Sequence, residues 1–204
     1  MLTIDGSLPS ELAPLAWLVG EWEGTGVISY PVDDDRVEIE FAQTVSFAHH
    51  GLPYLQYEAR SRRLDTDALI SIETGFWRLA RSPEPTDLGP GMLPATGSAI
   101  ASAEALEKLR REDGGFEVEA SIVHPNGVQE LYMGVANGPR IDLATDAVLR
   151  SPSAKQHSAS TRMLGYVQEH LLWAWDIGTE GAQVVSHASA RLARRQAPEV
   201  SEES

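Results

Sequence analysis

The residue whose chemistry stands out is His187, in Gln183-Val184-Val185-Ser186-His187-Ala188-Ser189-Ala190-Arg191-Leu192. The stretch reads as a short strand, bounded by Gly178 and Gly181 before it and by a basic, Pro-containing tail after it. Strict alternation puts Val185, His187 and Ser189 on one face, and Val184, Ser186, Ala188, Ala190 and Leu192 on the other. Neither face is wholly polar, so both are expected to be at least partly covered. A neutral imidazole on such a strand keeps one nitrogen free to ligate a metal or a haem iron. The same residue also fits a partly buried histidine hydrogen-bonded to a neighbour, and the strand alone leaves both readings open.

Other reactive groups lack the spacing that chemistry needs. Asp33-Asp34-Asp35 is without the spaced oxygen ligands and central glycine of a calcium loop, and reads as a solvated turn. His49 and His50 are adjacent, so on a strand they would point to opposite faces and make a poor metal pair. There is no G-x-S-x-G elbow, phosphate loop or dinucleotide fingerprint. The absence of cysteine excludes disulfides, iron–sulfur clusters, thiolate ligation and cysteine nucleophiles. A formal net charge of -14 argues against nonspecific binding to nucleic acid or to an anionic membrane. No apolar run is long enough to span a bilayer, and the N-terminus has no signal-peptide core, so a cytoplasmic protein is expected.

The elements that must position His187 are short strands. Pro9 to Leu18 reads as a short helix with Ser10 as N-cap, packing Leu15, Trp17 and Leu18 over one end of a sheet structure. In the next strand Trp22, Gly24, Gly26 and Ile28 share one parity. Alternate glycines weaken a strand, and make sense where it bends sharply or where something flat lies against the backbone. One reading is therefore a barrel corner with Trp22 plugging the barrel end, the other a close ligand contact. Alternating runs recur at Val37–Phe47, Tyr54–Arg60, Glu73–Leu79, Phe116–Val123, Val128–Ala136, Arg140–Leu149, Gln156–Tyr166 and His170–Ile177. His124-Pro125-Asn126-Gly127 and Asn137-Gly138 supply tight turns. Between Ser82 and Gly115 the pattern fails amid prolines and glycines, except for a helical run over 102–111; this reads as an insertion, mobile or lying on the surface. The tail from Arg194 reads as disordered, with residues 196–204 outside a single domain of 1–195. About ten strands with little helix predict an all-β, up-and-down antiparallel barrel, with a β-sandwich as the alternative.

Several stretches together resemble the nitrobindin family of haem-binding barrels, whose close relatives include bacterial peroxynitrite isomerases. Gly20-Glu21-Trp22-Glu23-Gly24-Thr25-Gly26 fits the family's G-x-W-x-G-x-G motif, and Tyr30-Pro31 follows it. Phe47, His49, Gly51 and Pro53, then Glu73-x-Gly75-Phe76-x-Arg78, then His124-Pro125-x-Gly127 with Glu130, match further pieces in order. The resemblance implies a ten-stranded barrel of fatty-acid-binding-protein type with a short N-terminal helix and one inserted loop. It implies haem b, one per subunit, near the open end, with His187 as axial iron ligand and catalytic centre. Gly20, Trp22, Gly24, Gly26, Ser29 and Lys155 are the expected cofactor contacts, Lys155 pairing a propionate. A mouth of Trp, Phe, Met and Leu side chains is expected to bury the porphyrin. No distal histidine can be picked out, His49 being conceivable; a dry distal side without a hydrogen-bond donor would favour oxidation to ferric iron over dioxygen carriage. Peroxynitrite and nitric oxide are the implied partners, with isomerisation to nitrate as the reaction and a homodimer as the assembly to test. A nitric oxide carrier, or a haem-free binder of an apolar ligand, are the alternatives.

Overall fold

The computed structural model describes residues 7–32, 35–85, 87, 100–178 and 184–195. Ten strands are present: β1 (Gly20–Val32), β2 (Asp35–Ala48), β3 (Leu55–Arg63), β4 (Leu69–Leu79), β5 (Phe116–Val123), β6 (Val128–Asn137), β7 (Arg140–Arg150), β8 (Ala159–Val167), β9 (His170–Gly178) and β10 (Val185–Arg194). Each pairs antiparallel with its sequence neighbour, and β1 pairs with β10 to close the barrel. The sandwich alternative is thereby excluded, and every described strand has a partner on both sides.

Inward positions alternate as expected. Trp22, Phe41, Val45, Phe47, Tyr57, Trp77, Val118, Tyr132, Ile141 and Leu143 are buried in one core. The interior is filled: beside Arg162, among Phe47, Tyr57, Trp77 and Trp173, a cavity of about 20 Å³ remains for water centres. That is room for about one water and far too little for a porphyrin. Any large guest has to sit at an end of the barrel.

One end is closed by the expected short helix, Ser10–Leu18, which is a 3-10 helix. Ser10 is its first residue, and Pro9 occupies the cap without a side-chain hydrogen bond. Pro14 inside it has no N–H to donate, and three residues per turn line Leu12, Leu15 and Leu18 along one fully buried stripe. The β4–β5 connection joins this plug. α1 (Ala103–Glu107) is shorter than the 102–111 run read from sequence, with Ser102 Oγ accepting from the Ala105 N–H at 3.1 Å. Its Leu106 is buried against the core, and Ile100 and Leu109 pack there too. Arg81 bridges Glu11 at 2.7 Å and Asp87 at 2.6 Å, tying the start of the connection to the helix. The flanks of this segment thus belong to the barrel end; residues 88–99 lie outside the described ones.

The seam between β1 and β10 explains the glycine motif. A Cβ on Gly24 would overlap the Arg191 carbonyl oxygen, and one on Gly26 would overlap the Ser189 carbonyl and the Phe41 ring. The flat object lying against these glycines is the backbone of β10 itself, as the barrel-corner reading has it. Trp22 seals the corner, its Nε1 donating to Leu18 O at 2.7 Å. Arg194 stacks on Trp22 at 4.2 Å and donates to the carbonyls of Trp17 and Val19, so order persists through the residue at which the tail was expected to begin.

Candidate functional site at the open end of the barrel

The opposite end is built from inward positions near the ends of the strands. On β1 and β2, Ile28 pairs with Ile39 and Tyr30 with Val37. They share parity with buried Trp22, Phe41 and Val45, yet all four are only half-buried. They form an apolar lip that faces inward and stays half-exposed among the described residues.

His187 stands beside this lip, placed by a break in alternation. Ser186 pairs with Asp176 and Ala188 with Trp175, leaving His187 as the extra residue of a β-bulge. Ala188, Ala190 and Leu192 are the buried face of β10, while Ser189 is exposed. The bulge takes His187 off the outward face it would share with Ser189 and sets its ring edge-on to Trp175, centroids 5.2 Å apart. Burial pulls its pKa below the ordinary histidine value, against an opposing hydrogen bond to the Ser29 backbone. The shift favours the neutral imidazole, which has one N–H and one nitrogen with a free lone pair. That is the form in which a histidine ligates a metal.

Below His187 lies a buried polar network. Glu73 shares the inward face of β4 with Trp77 and Leu79, Glu130 that of β6 with Val128 and Tyr132, and Arg162 that of β8 with Ser160 and Leu164. Arg162 donates twice to Glu73, at 2.8 and 3.0 Å, and Tyr57 donates to Glu73 at 2.9 Å. Glu130 accepts from His124 Nε2 at 2.8 Å, His157 Nε2 at 2.7 Å, Ser160 Oγ at 2.6 Å and Tyr132 Oη at 2.8 Å. Burial acts to raise both carboxyl pKa values. For Glu73 the Arg162 charge overrides it, and for Glu130 the donated hydrogen bonds and Arg162 do; both stay ionised below the usual range. Trp175 joins the network to His187: His124 stacks on it at 9° and 5.9 Å, Arg162 lies over it at 4.5 Å, and His157 meets it at 6.2 Å.

The expected site residues separate into two groups. Ser29 is at the open end with His187, and its Oγ accepts from Arg36 at 3.0 Å. Lys155 is exposed in the β7–β8 connection at the same end, two residues from His157. Gly20 and Trp22 are at the closed end, and Gly24 and Gly26 lie against β10, where a Cβ would overlap its backbone. His49 follows β2 at the closed end, which removes it as a distal candidate. Beside His187 the interior is polar, with His124, His157 and Arg162 around the Trp175 ring. Glu73, His124 and Glu130 stood in the quoted stretches without a role, while Arg162, His157 and Trp175 escaped notice. Their signal was inward parity shared with apolar neighbours, at residue types that are rarely buried unpaired.

A closed ten-stranded barrel with a half-exposed apolar lip and a half-buried imidazole at one end has the architecture of a small-ligand barrel. The chain belongs to the family described as the THAP4-like, heme-binding beta-barrel domain, which matches residues 11–194, and its cofactor is haem. It is 52% identical to a Leifsonia xyli subsp. xyli protein named peroxynitrite isomerase, over 95% of this chain and 99% of that one. It is 50% identical to a protein of the same name from Clavibacter michiganensis subsp. michiganensis, over 94% and 98%. The crystal structure of Rv2717c from M. tuberculosis shares the fold, with a TM-score of 0.67 at 23% identity, covering 95% of this chain and 100% of that one. No helix among the described residues is long and apolar enough to cross a membrane.

Proposed function

We propose that the protein is a cytoplasmic haem b protein, one haem per chain, that isomerises peroxynitrite to nitrate and binds nitric oxide. The observation that carries this reading is His187: a half-buried imidazole, favoured in its neutral form by burial, beside an inward apolar lip that stays half-exposed among the described residues. The name borne by relatives at up to 52% identity supports the same activity. When bound, the haem supplies a ferric centre able to take up a small anion and steer its rearrangement.

The chain's own groups do the rest. A hydrogen bond with the Ser29 backbone holds the His187 ring at the mouth. Ile28, Tyr30, Val37 and Ile39 cover one side of the macrocycle and exclude water there. Lys155 offers the exposed cation for a propionate, in a chain whose net charge of -14 otherwise repels one. Reversing it in Lys155→Glu costs about 1 kcal/mol of haem retention.

Hemin titration tests the cofactor, and stopped-flow peroxynitrite decay tests the reaction. A one-to-one Soret complex is expected from the native chain and none of normal affinity from His187→Ala. Decay to nitrate faster than with free hemin is expected from the ferric complex. Haem binding with no acceleration leaves a nitric oxide carrier as the function; no haem binding overturns the reading.

A further inference from the structure

One residue of the lip has reactive chemistry of its own. Ile28, Val37 and Ile39 are aliphatic, whereas Tyr30 is a phenol. It has the inward parity of Ile28, pairs with Val37 and is half-buried. Two positions back, Ile28 pairs with Ala188, the residue that follows His187. Tyr30 is thus at the mouth, close along the seam to the bulge that carries the imidazole. Its hydroxyl activates the ring carbons ortho to it toward nitrating species, which no aliphatic neighbour can match.

The other four tyrosines of the chain are placed differently. Tyr57 and Tyr132 are 6% and 0% exposed, and their hydroxyls donate to Glu73 and Glu130. Tyr166 is at the closed end, paired with Leu171 and packed against Trp17 and Trp22. Tyr54 stands in the β2–β3 connection, also at the closed end, edge-on to Phe76 at 5.3 Å. Tyr30 therefore joins three conditions that none of these joins: position at the mouth, partial exposure, and a hydroxyl with no hydrogen-bond partner among the described residues. The last condition means that Tyr30→Phe breaks no hydrogen bond of the fold.

We propose that Tyr30 is the nitration site of the chain, taking a nitro group ortho to its hydroxyl from peroxynitrous acid handled at the mouth. The inference rests on the proposed haem function. The step balances without a further reagent. The O–O bond of peroxynitrous acid breaks, and a C–N bond forms between its nitrogen and the ring carbon. The hydroxyl fragment leaves as water with the displaced ring hydrogen. The ring is oxidised, and the peroxide bond takes up the electron pair. Isomerisation to nitrate breaks the same O–O bond and returns the fragments to each other, so Tyr30 captures those that fail to recombine.

The test treats three samples with peroxynitrite in bicarbonate-free buffer: the native chain loaded with ferric haem, the native chain without haem, and loaded Tyr30→Phe. Each is then digested and its nitrated peptides are mapped by mass spectrometry. Most of the nitrotyrosine of the loaded native chain is expected on Tyr30. Most of that signal, read also as nitrophenolate absorbance, is expected to be lost in Tyr30→Phe. The haem-free chain is expected to show no preference for Tyr30. Nitro groups mainly on Tyr54 or Tyr166 overturn the inference, as does Tyr30 nitrated equally with and without haem, or a loaded chain that carries no nitrotyrosine. These three results leave the haem function standing. A native chain that forms no Soret complex overturns the haem reading itself, an outcome distinct from all of them.

Discussion

The two ends of the barrel are finished in opposite chemistries. At the closed end Leu12, Leu15, Leu18 and Leu192 are fully buried, and Trp22 and Leu79 nearly so. The polar groups there are chiefly backbone carbonyls capped by Arg194 and Trp22, with one ion-pair cluster, Glu11–Arg81–Asp87. At the open end the same inward parity carries Glu73, Glu130, Arg162 and Tyr132. Burying apolar area stabilises a fold directly, whereas buried ion pairs gain about what their desolvation costs. The closed end is therefore where stability resides. The open end holds side chains in fixed directions at little net gain, which is what a binding site requires.

The largest test of this contrast is Trp22→Ala. Removing a ring 1% exposed from the closed end is expected to cost about 3–5 kcal/mol in urea unfolding followed by circular dichroism. A cost under about 1 kcal/mol would break the assignment of stability to this end. Next is Glu130→Ala, which strands the donors of His124, His157, Ser160 and Tyr132 around a hole. About 3 kcal/mol is expected. If instead the variant matches the native chain in stability, those donors have found water and the network is looser than drawn. The smallest effect concerns acid. Arg81 holds Asp87 at about 2, below the ordinary 3.8, so its contribution is full above the ordinary value and is lost as pH falls toward 2. Asp87→Asn should lower stability at pH 7 and converge on the native chain as pH drops from about 4 to about 2. A gap that persists undiminished at the acid end would mean that the pairing with Arg81 is not what Asp87 contributes.

The barrel was legible because its signals are local: alternation, tight-turn residues and an i, i+3 leucine spacing all lie within a few residues of one another. His187 was legible as a residue and not as a direction. Its orientation depends on a bulge set by registry with β9, and no feature between Ser186 and Ala188 announces one. The network was harder still. Arg162 meets Glu73 across 89 positions and His157 meets Glu130 across 27, so the pairing exists only once the sheet has closed. The glycines showed the reverse case, since their spacing correctly demanded a close neighbour but could not say that the neighbour was β10.

The seam where Trp22 lies opposite Arg194 has a consequence in time. It joins the strands most distant along the chain, and contacts of such separation are the slowest to find. His187 and Ser29 lie on its two sides, so the oriented imidazole does not exist until the last strand has docked on the first. Partly folded chains, even with most of the sheet in place, have no such ligand to offer. With His187 in its proposed role, acquisition of the haem would act as a proofreading step, passed by molecules that have completed the circle.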